Sequence, residues 1–123
     1  MNITNPLRIG TAIREVLINS ELINARIGGR VFPYTTQEKV AIPNIVYDGI
    51  SVDYYESKDS AEPSEVNISL NVNTLDYPSG IALAEEVLDV LTEHGFVPTA
   101  VSCEYDSVAL MYTHSITLKI YLA

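Results

Sequence analysis

A change of hydrophobic period between residues 66 and 91 constrains this chain more than any other feature. Val66, Ile68, Leu70 and Val72 alternate with Asn67, Ser69, Asn71 and Asn73, the period of a strand with one buried face. Pro78 breaks that pattern. From Ile81 the apolar positions are Ile81, Ala84, Val87, Leu88 and Leu91, the spacing of a helix with one apolar stripe. Gly95 stands where a left-handed residue would close the helix. A half-buried strand and an amphipathic helix each need an apolar partner, and a sheet with the helix laid across it serves both.

The flanking segments extend this unit. Asn5-Pro6 offers a capping side chain followed by proline at the first helical position, where its missing N–H costs nothing. Leu7, Ala12, Ile13, Val16 and Leu17 share a face, so a first helix is expected to about Ile18, with Ser20 capping a further short turn that carries Leu22 and Ile23. Gly28-Gly29 ends the helical region. Val31-Phe32-Pro33 reads as a short edge strand, because proline cannot donate to an interior ladder. Residues 35 to 41 read as a loop. Asn44 to Val52 is rich in β-branched and aromatic residues and predicts a strand. Asp53 to Ser64 is polar and predicts a mobile hairpin loop. Ala100 to Tyr105, a turn at Asp106-Ser107, Val108 to Tyr112 and the alternating Ile116 to Leu122 complete the pattern. The expected fold is α+β: one domain over residues 1–123, with a mostly antiparallel sheet of about four or five strands and two main helices on one face. The strand order is left open.

A chain of 123 residues, 47% of them hydrophobic, can bury a core of its own. No apolar run is long enough to span a bilayer, and the first residues lack the pattern of a signal peptide, so a soluble cytoplasmic chain is expected. The formal charge is −9, and it is unevenly spread. Arg8, Arg14, Arg26, Arg30 and Lys39 outnumber the acids up to residue 39, whereas beyond it only Lys58 and Lys119 oppose the remaining carboxylates. Such a surface repels a phosphate backbone, which argues against nucleic-acid binding through a basic face. It suits like subunits that meet head to tail, with a basic patch of one facing an acidic patch of the next.

Catalytic chemistry finds no foothold. His94 and His114 have no carboxylate at a metal-binding or catalytic spacing. His94 reads as a cation near a helix C-terminus and His114 as a surface residue of a strand or turn. Cys103, the only cysteine, alternates with Val101 and Tyr105 and reads as a small buried side chain; alone it can form no internal disulfide. No nucleophile elbow, phosphate loop or dinucleotide fingerprint occurs. The expectation is no catalytic residue, no metal and no cofactor.

Assembly surfaces are better candidates. Asp53, Tyr54, Tyr55, Glu56, Lys58 and Asp59 put adjacent tyrosines among mixed charges, a composition suited to contact with a partner. Glu85, Asp89 and Glu93 form an i, i+4, i+8 stripe beside Glu86 with no basic residue in the same helix. Like charges so placed favour water or a basic partner. Arg8, Arg14, Arg26 and Arg30 form the complementary basic set.

Four pieces, taken in order, resemble the phage tail completion, or tail-to-head joining, family of long-tailed phages and prophages. They are the first helix ending in Ile27-Gly28-Gly29-Arg30-Val31-Phe32-Pro33, then Ala41-Ile42-Pro43-Asn44-Ile45-Val46-Tyr47, then the strand Val66 to Asn73 with the Ala/Glu/Leu-rich helix after it, and last His114-Ser-Ile116-Thr-Leu118-Lys-Ile120. The resemblance covers nearly the whole chain and rests on structural motifs. It implies a non-enzymatic virion protein, a tail terminator forming a hexameric ring on the tail tube. Its implied partners are copies of itself, the tail tube protein and the head connector or head completion protein, with no sequence-specific nucleic acid and no membrane. It implies a place at the neck of the virion, reached from the bacterial host cytoplasm during assembly. A small protein-binding adaptor or ligand-binding α+β domain is the alternative that the residues allow.

Overall fold

The computed structural model describes residues 5–34, 40–56 and 61–122. Asn5 caps a 3-10 turn (Pro6–Arg8) by accepting a hydrogen bond from the Leu7 amide at 3.0 Å. Helix α1 (Ile9–Ile18) and helix α2 (Glu21–Ile27) follow. Ile9, Ile13 and Leu17 are fully buried along one side of α1, and Ile23 and Ile27 along α2. Gly28 closes α2 with φ +55°, a left-handed conformation that disfavours a Cβ. Asn24 secures the exit by accepting the Gly29 amide at 2.8 Å.

The five strands are β1 (Val31–Pro33), β2 (Asn44–Glu56), β3 (Ala61–Thr74), β4 (Val97–Asp106) and β5 (Met111–Tyr121), and helix α3 (Tyr77–Glu93) lies between β3 and β4. The spatial order is β1-β2-β3-β5-β4. β1 runs parallel to β2 and every other pair is antiparallel. Since β5 is antiparallel to both neighbours, β3 and β4 point the same way, and α3 is the crossover that such a pair requires.

All the helical cover lies on one face. Val66, Ile68, Leu70 and Val72 of β3 are each 0% exposed, as their alternation predicts, and are paired through Leu70↔Ile116 and Ile68↔Leu118 with the core-facing row of β5. The α+β class, the mostly antiparallel sheet and the helices are those expected. The helix differs in detail. It begins at Tyr77, with Pro78 inside the first turn and Asp76 as N-cap, the Asp76 carboxylate accepting the Ser79 amide at 2.9 Å. The Ser79 hydroxyl also donates to this carboxylate, at 2.8 Å, and the two bonds, the amide's first and the hydroxyl's second, hold the Asp76 carboxyl below its ordinary pKa. Its buried stripe is Gly80, Leu83, Ala84, Val87 and Leu91; Leu83 takes the place assigned to Ile81, which is half-buried.

The second difference concerns residues 53 to 64. They do not form a loop throughout, because β2 and β3 stay paired out to Glu56↔Ala61. β5 leaves β3 at Glu65↔Tyr121, so the pairs from Tyr54↔Pro63 outward form a two-stranded arm beyond the rest of the sheet. Polarity was a poor guide here, because strand pairing is made by the backbone and a two-stranded ribbon needs no apolar row to form its ladder. Near its base, the register shifts between Asp48 and Ser51, where Gly49 takes φ +63°, a glycine bulge that bends and twists the strand.

Candidate assembly surfaces

The face of the sheet opposite the helices is covered by its own side chains. Asn73 donates to Asn44 Oδ1 at 2.8 Å and accepts from the Thr113 hydroxyl at 2.7 Å. Asn71 donates to Asp48 Oδ2 at 3.1 Å and accepts from the Ser115 hydroxyl at 2.9 Å, and Asn67 donates to Asp53 Oδ2 at 3.2 Å. These cross-strand amides and hydroxyls satisfy one another, so the face needs no protein layer to satisfy its polar groups.

Of the arm candidates, Asp53 and exposed Tyr54 lie on β2 where the arm leaves the sheet. Tyr55 and Glu56 complete the strand, while Lys58 and Asp59 lie outside the described residues. On α3, Glu85, Asp89 and Glu93 are exposed and point away from the core. Glu86 differs from them: Arg26 of α2 grips its carboxylate with Nε at 3.2 Å and Nη2 at 3.3 Å. One member of the acidic set and one of the basic set are therefore joined within a single chain.

The other basic residues are spread along the N-terminal helices. Arg8 and Arg14 are exposed, and Arg14 Nη2 reaches the Gly29 carbonyl at 3.5 Å. Arg30 is half-buried and donates to the Pro43 carbonyl at 2.9 Å and the Arg26 carbonyl at 3.3 Å. Among the described residues its partners are carbonyls and it makes no ion pair.

Two residues read from sequence as ordinary lie elsewhere than expected. Cys103 is exposed. It shares the core-facing side with Val101 and Tyr105, as their pairing with His114, Ile116 and Tyr112 requires, but all ten residues of β4 are exposed because the helices do not extend over this edge strand. His114, read as a surface residue, is 5% exposed. It occupies a core-facing position of β5, stacks on Tyr77 with ring centroids 5.9 Å apart, and its Nδ1 has no hydrogen-bond partner among the described residues. Burial lowers its pKa. The alternation Tyr112, His114, Ile116, Leu118, Ile120 was the signal that could have located it. Tyr112 links the cluster to β4 through Tyr105, with centroids 4.8 Å apart. His94 sits at the C-cap of α3, as expected, with Nδ1 2.9 Å from the Val90 carbonyl oxygen.

Among the described residues no group of three or more His, Cys, Asp and Glu could hold a metal ion, and no helix is long and apolar enough to cross a membrane. An open groove between α1 and α3 is lined in part by Glu15, Val16, Val90, Glu93 and His94.

Comparison with family models gives no match, and neither does comparison with curated proteins. Among solved structures, a chain of the virion of a native gene transfer agent particle is similar in fold, with a TM-score of 0.77 over 92% of each chain at 14% identity. The likeness spans helices and sheet together, since so little of either chain is left out.

Proposed function

We propose that this chain is a phage-like virion structural protein and acts as a tail terminator: a non-enzymatic subunit of a ring, six-fold in the family it resembles, that caps the tail tube and joins it to the head connector. The observation that carries the reading is the fold shared over 92% of both chains with a component of a virion particle, at an identity too low to reflect more than the fold. The resemblance of four ordered sequence pieces to the tail completion family supports the finer role.

The surfaces suit such a subunit. A ring needs two different, complementary patches on one chain, and here the Arg8 and Arg14 side chains lie on the N-terminal helices while Glu85, Asp89 and Glu93 project from α3. The arm formed by β2 and β3 extends past β5, a shape that suits contact with a neighbouring subunit or the tube. In this reading the protein works at the neck of the virion after assembly in the bacterial host cytoplasm, with tail tube and head connector proteins as partners. The test is to remove the gene product from an assembling particle. Overlong tubes or tails without heads are expected; normal joined particles would overturn the proposal.

A further inference from the structure

We infer that His114 is a proton-operated latch on the first turn of α3: the neutral imidazole seats the turn against β5, and a charged imidazole lifts it. The latch belongs to a single chain and is independent of the virion role.

His114 sits where a helix begins over an interior strand. It is 5% exposed, and β5 is held on both sides at this residue, by Val72 of β3 and Cys103 of β4. On the helix side the ring lies against the backbone of α3: a Cβ at Gly80 would stand 2.6 Å from its Cε1 and 2.7 Å from its Nδ1. Tyr77, the first residue of α3, has its ring centroid 5.9 Å from that of His114 and 5.7 Å from that of Tyr112. Tyr77 and Gly80 are three positions apart and share a helix face. The turn therefore rests on the imidazole at two points.

The seat suits a neutral ring. Nδ1 has no hydrogen-bond partner among the described residues, and the nearby Thr74 hydroxyl donates to the Asp76 carbonyl at 3.0 Å. A charged ring carries N–H on both nitrogens, and Nδ1–H would then point at Gly80 with no acceptor placed for it. The titratable groups around the ring are Tyr77 of α3, Cys103 and Tyr105 of β4 and Tyr112 of β5, with Thr74 on β3 and Asp76 at the cap of α3. Only Asp76 is charged at neutral pH, and Ser79 holds its carboxylate at 2.9 and 2.8 Å. Burial alone accounts for the lowered pKa of His114. A proton on the ring thus makes a buried cation with no counter-charge, a costly arrangement. Relief comes most cheaply at the helix end. β5 is bonded on both sides, whereas the turn is terminal and carries Pro78 and Gly80, and terminal turns open before sheet centres do. A lifted turn also reshapes the surface: Thr74, Leu75, Asp76 and Ser79 line a cavity of about 250 Å³ together with Arg26, Pro43 and Leu83.

Hydrogen exchange on the full chain tests the latch, with rates corrected for the chemical effect of pH. Opening returns the imidazole to its ordinary pKa, above the folded one, so the open form takes up the proton and gains population as pH falls. The amides of Gly80, Ile81 and Ala82 are expected to lose about tenfold in protection between about pH 7 and about pH 5.5, while those of Val87 to Leu91 and Ile68 to Val72 keep theirs. Asp76 stays ionised over this range, because its carboxyl is held below the ordinary value. His114→Gln, neutral at every pH, should abolish the response at residues 80–82. Equal loss across α3 and β3 would overturn the inference, since it reports global opening. So would wild-type protection at 80–82 that ignores pH, or a response that persists in His114→Gln. NMR titration gives a check without substitution, with exposed His94, the only other histidine, as reference. The Gly80 and Ile81 amide shifts should follow the titration of His114. Shifts that follow His94 instead, or a His114 that titrates at the same pH as His94, would refute the latch.

Discussion

Arg26 and Glu86 are joined by two hydrogen bonds of 3.2 and 3.3 Å, and this pair clamps α2 to α3 inside one chain. A basic patch and an acidic patch that sequence alone sets on opposite sides of a subunit boundary therefore meet partly within the subunit. The Arg26 and Glu86 side chains remain 41% and 24% exposed, so the Coulomb attraction acts through water. Arg26→Ala is expected to cost only ~0.2–1 kcal/mol in chemical denaturation, and the loss should shrink in high salt. A loss of several kcal/mol would show that the pair does more than hold two surface helices together.

Gly80 makes room for the buried histidine. A Cβ at residue 80 would lie 2.6 Å from His114 Cε1 and 2.7 Å from Thr74 Oγ1. Gly80→Ala should therefore destabilise the fold by about 1–3 kcal/mol, despite alanine's higher helix propensity. Removing the imidazole in Gly80→Ala/His114→Ala should return part of that loss. Equal melting temperatures for Gly80→Ala and wild type would contradict the packing described.

His114 also sets a pH dependence. Its folded pKa is lowered from 6.5 by burial, so the unfolded chain takes up the proton first. The contribution to stability is complete above 6.5, and it is lost as pH falls below that value and through the lowered folded pKa. Melting temperature should decline in mildly acidic buffer, above the range where Asp76 and Asp106 take up protons. His114→Leu should flatten that decline. A wild-type melting temperature constant over the same interval would count against a buried neutral histidine.

The centre of the sheet should respond most strongly. Ile68 is 0% exposed and lies on β3, which has neighbours on both sides. Ile68→Ala is expected to cost ~2–5 kcal/mol, whereas Val101→Ala on the uncovered edge should change monomer stability little. A comparable cost at both positions would mean that β4 is covered in solution.

Shortening the arm separates folding from assembly. The pairs outside Glu65↔Tyr121 have no third strand, so replacing residues 54–63 with a tight turn should leave the melting temperature near that of wild type. Under the proposed function the same deletion should abolish joining of tails to heads. Normally joined particles made with the shortened arm would refute a role for it.

What was legible in the sequence follows from what a side-chain pattern records. Alternation along β3 and β5 located the core face, because those strands are covered along the face they show. The same alternation along Val101, Cys103 and Tyr105 located the correct side of β4 but not its exposure, since cover depends on how far the helices reach across the sheet. His114 was hidden by its polarity, although its neighbours at residues 112, 116, 118 and 120 marked its side. The arm was hidden because its sequence is polar, while its pairing out to Glu56↔Ala61 is made by backbone groups that side-chain patterns do not record. The pairing of Arg26 with Glu86 joins residues sixty positions apart, a relation that only the packing of α2 on α3 creates.

The insertion of β5 between β3 and β4 has a kinetic consequence. β2 and β3 can form a hairpin from adjacent sequence, but β4, although made before β5, has no place in the sheet until β5 arrives. Bonds such as Val72↔His114 close a long stretch of chain, and that closure entropy must be met before the pairing contributes. On the ribosome the hairpin would wait with the inner side of β3 uncovered, and α3 could shield its apolar row without supplying the missing ladder. Completion of the sheet, once β5 has been made, is thus the step at which this small domain is most open to misassociation with its own copies.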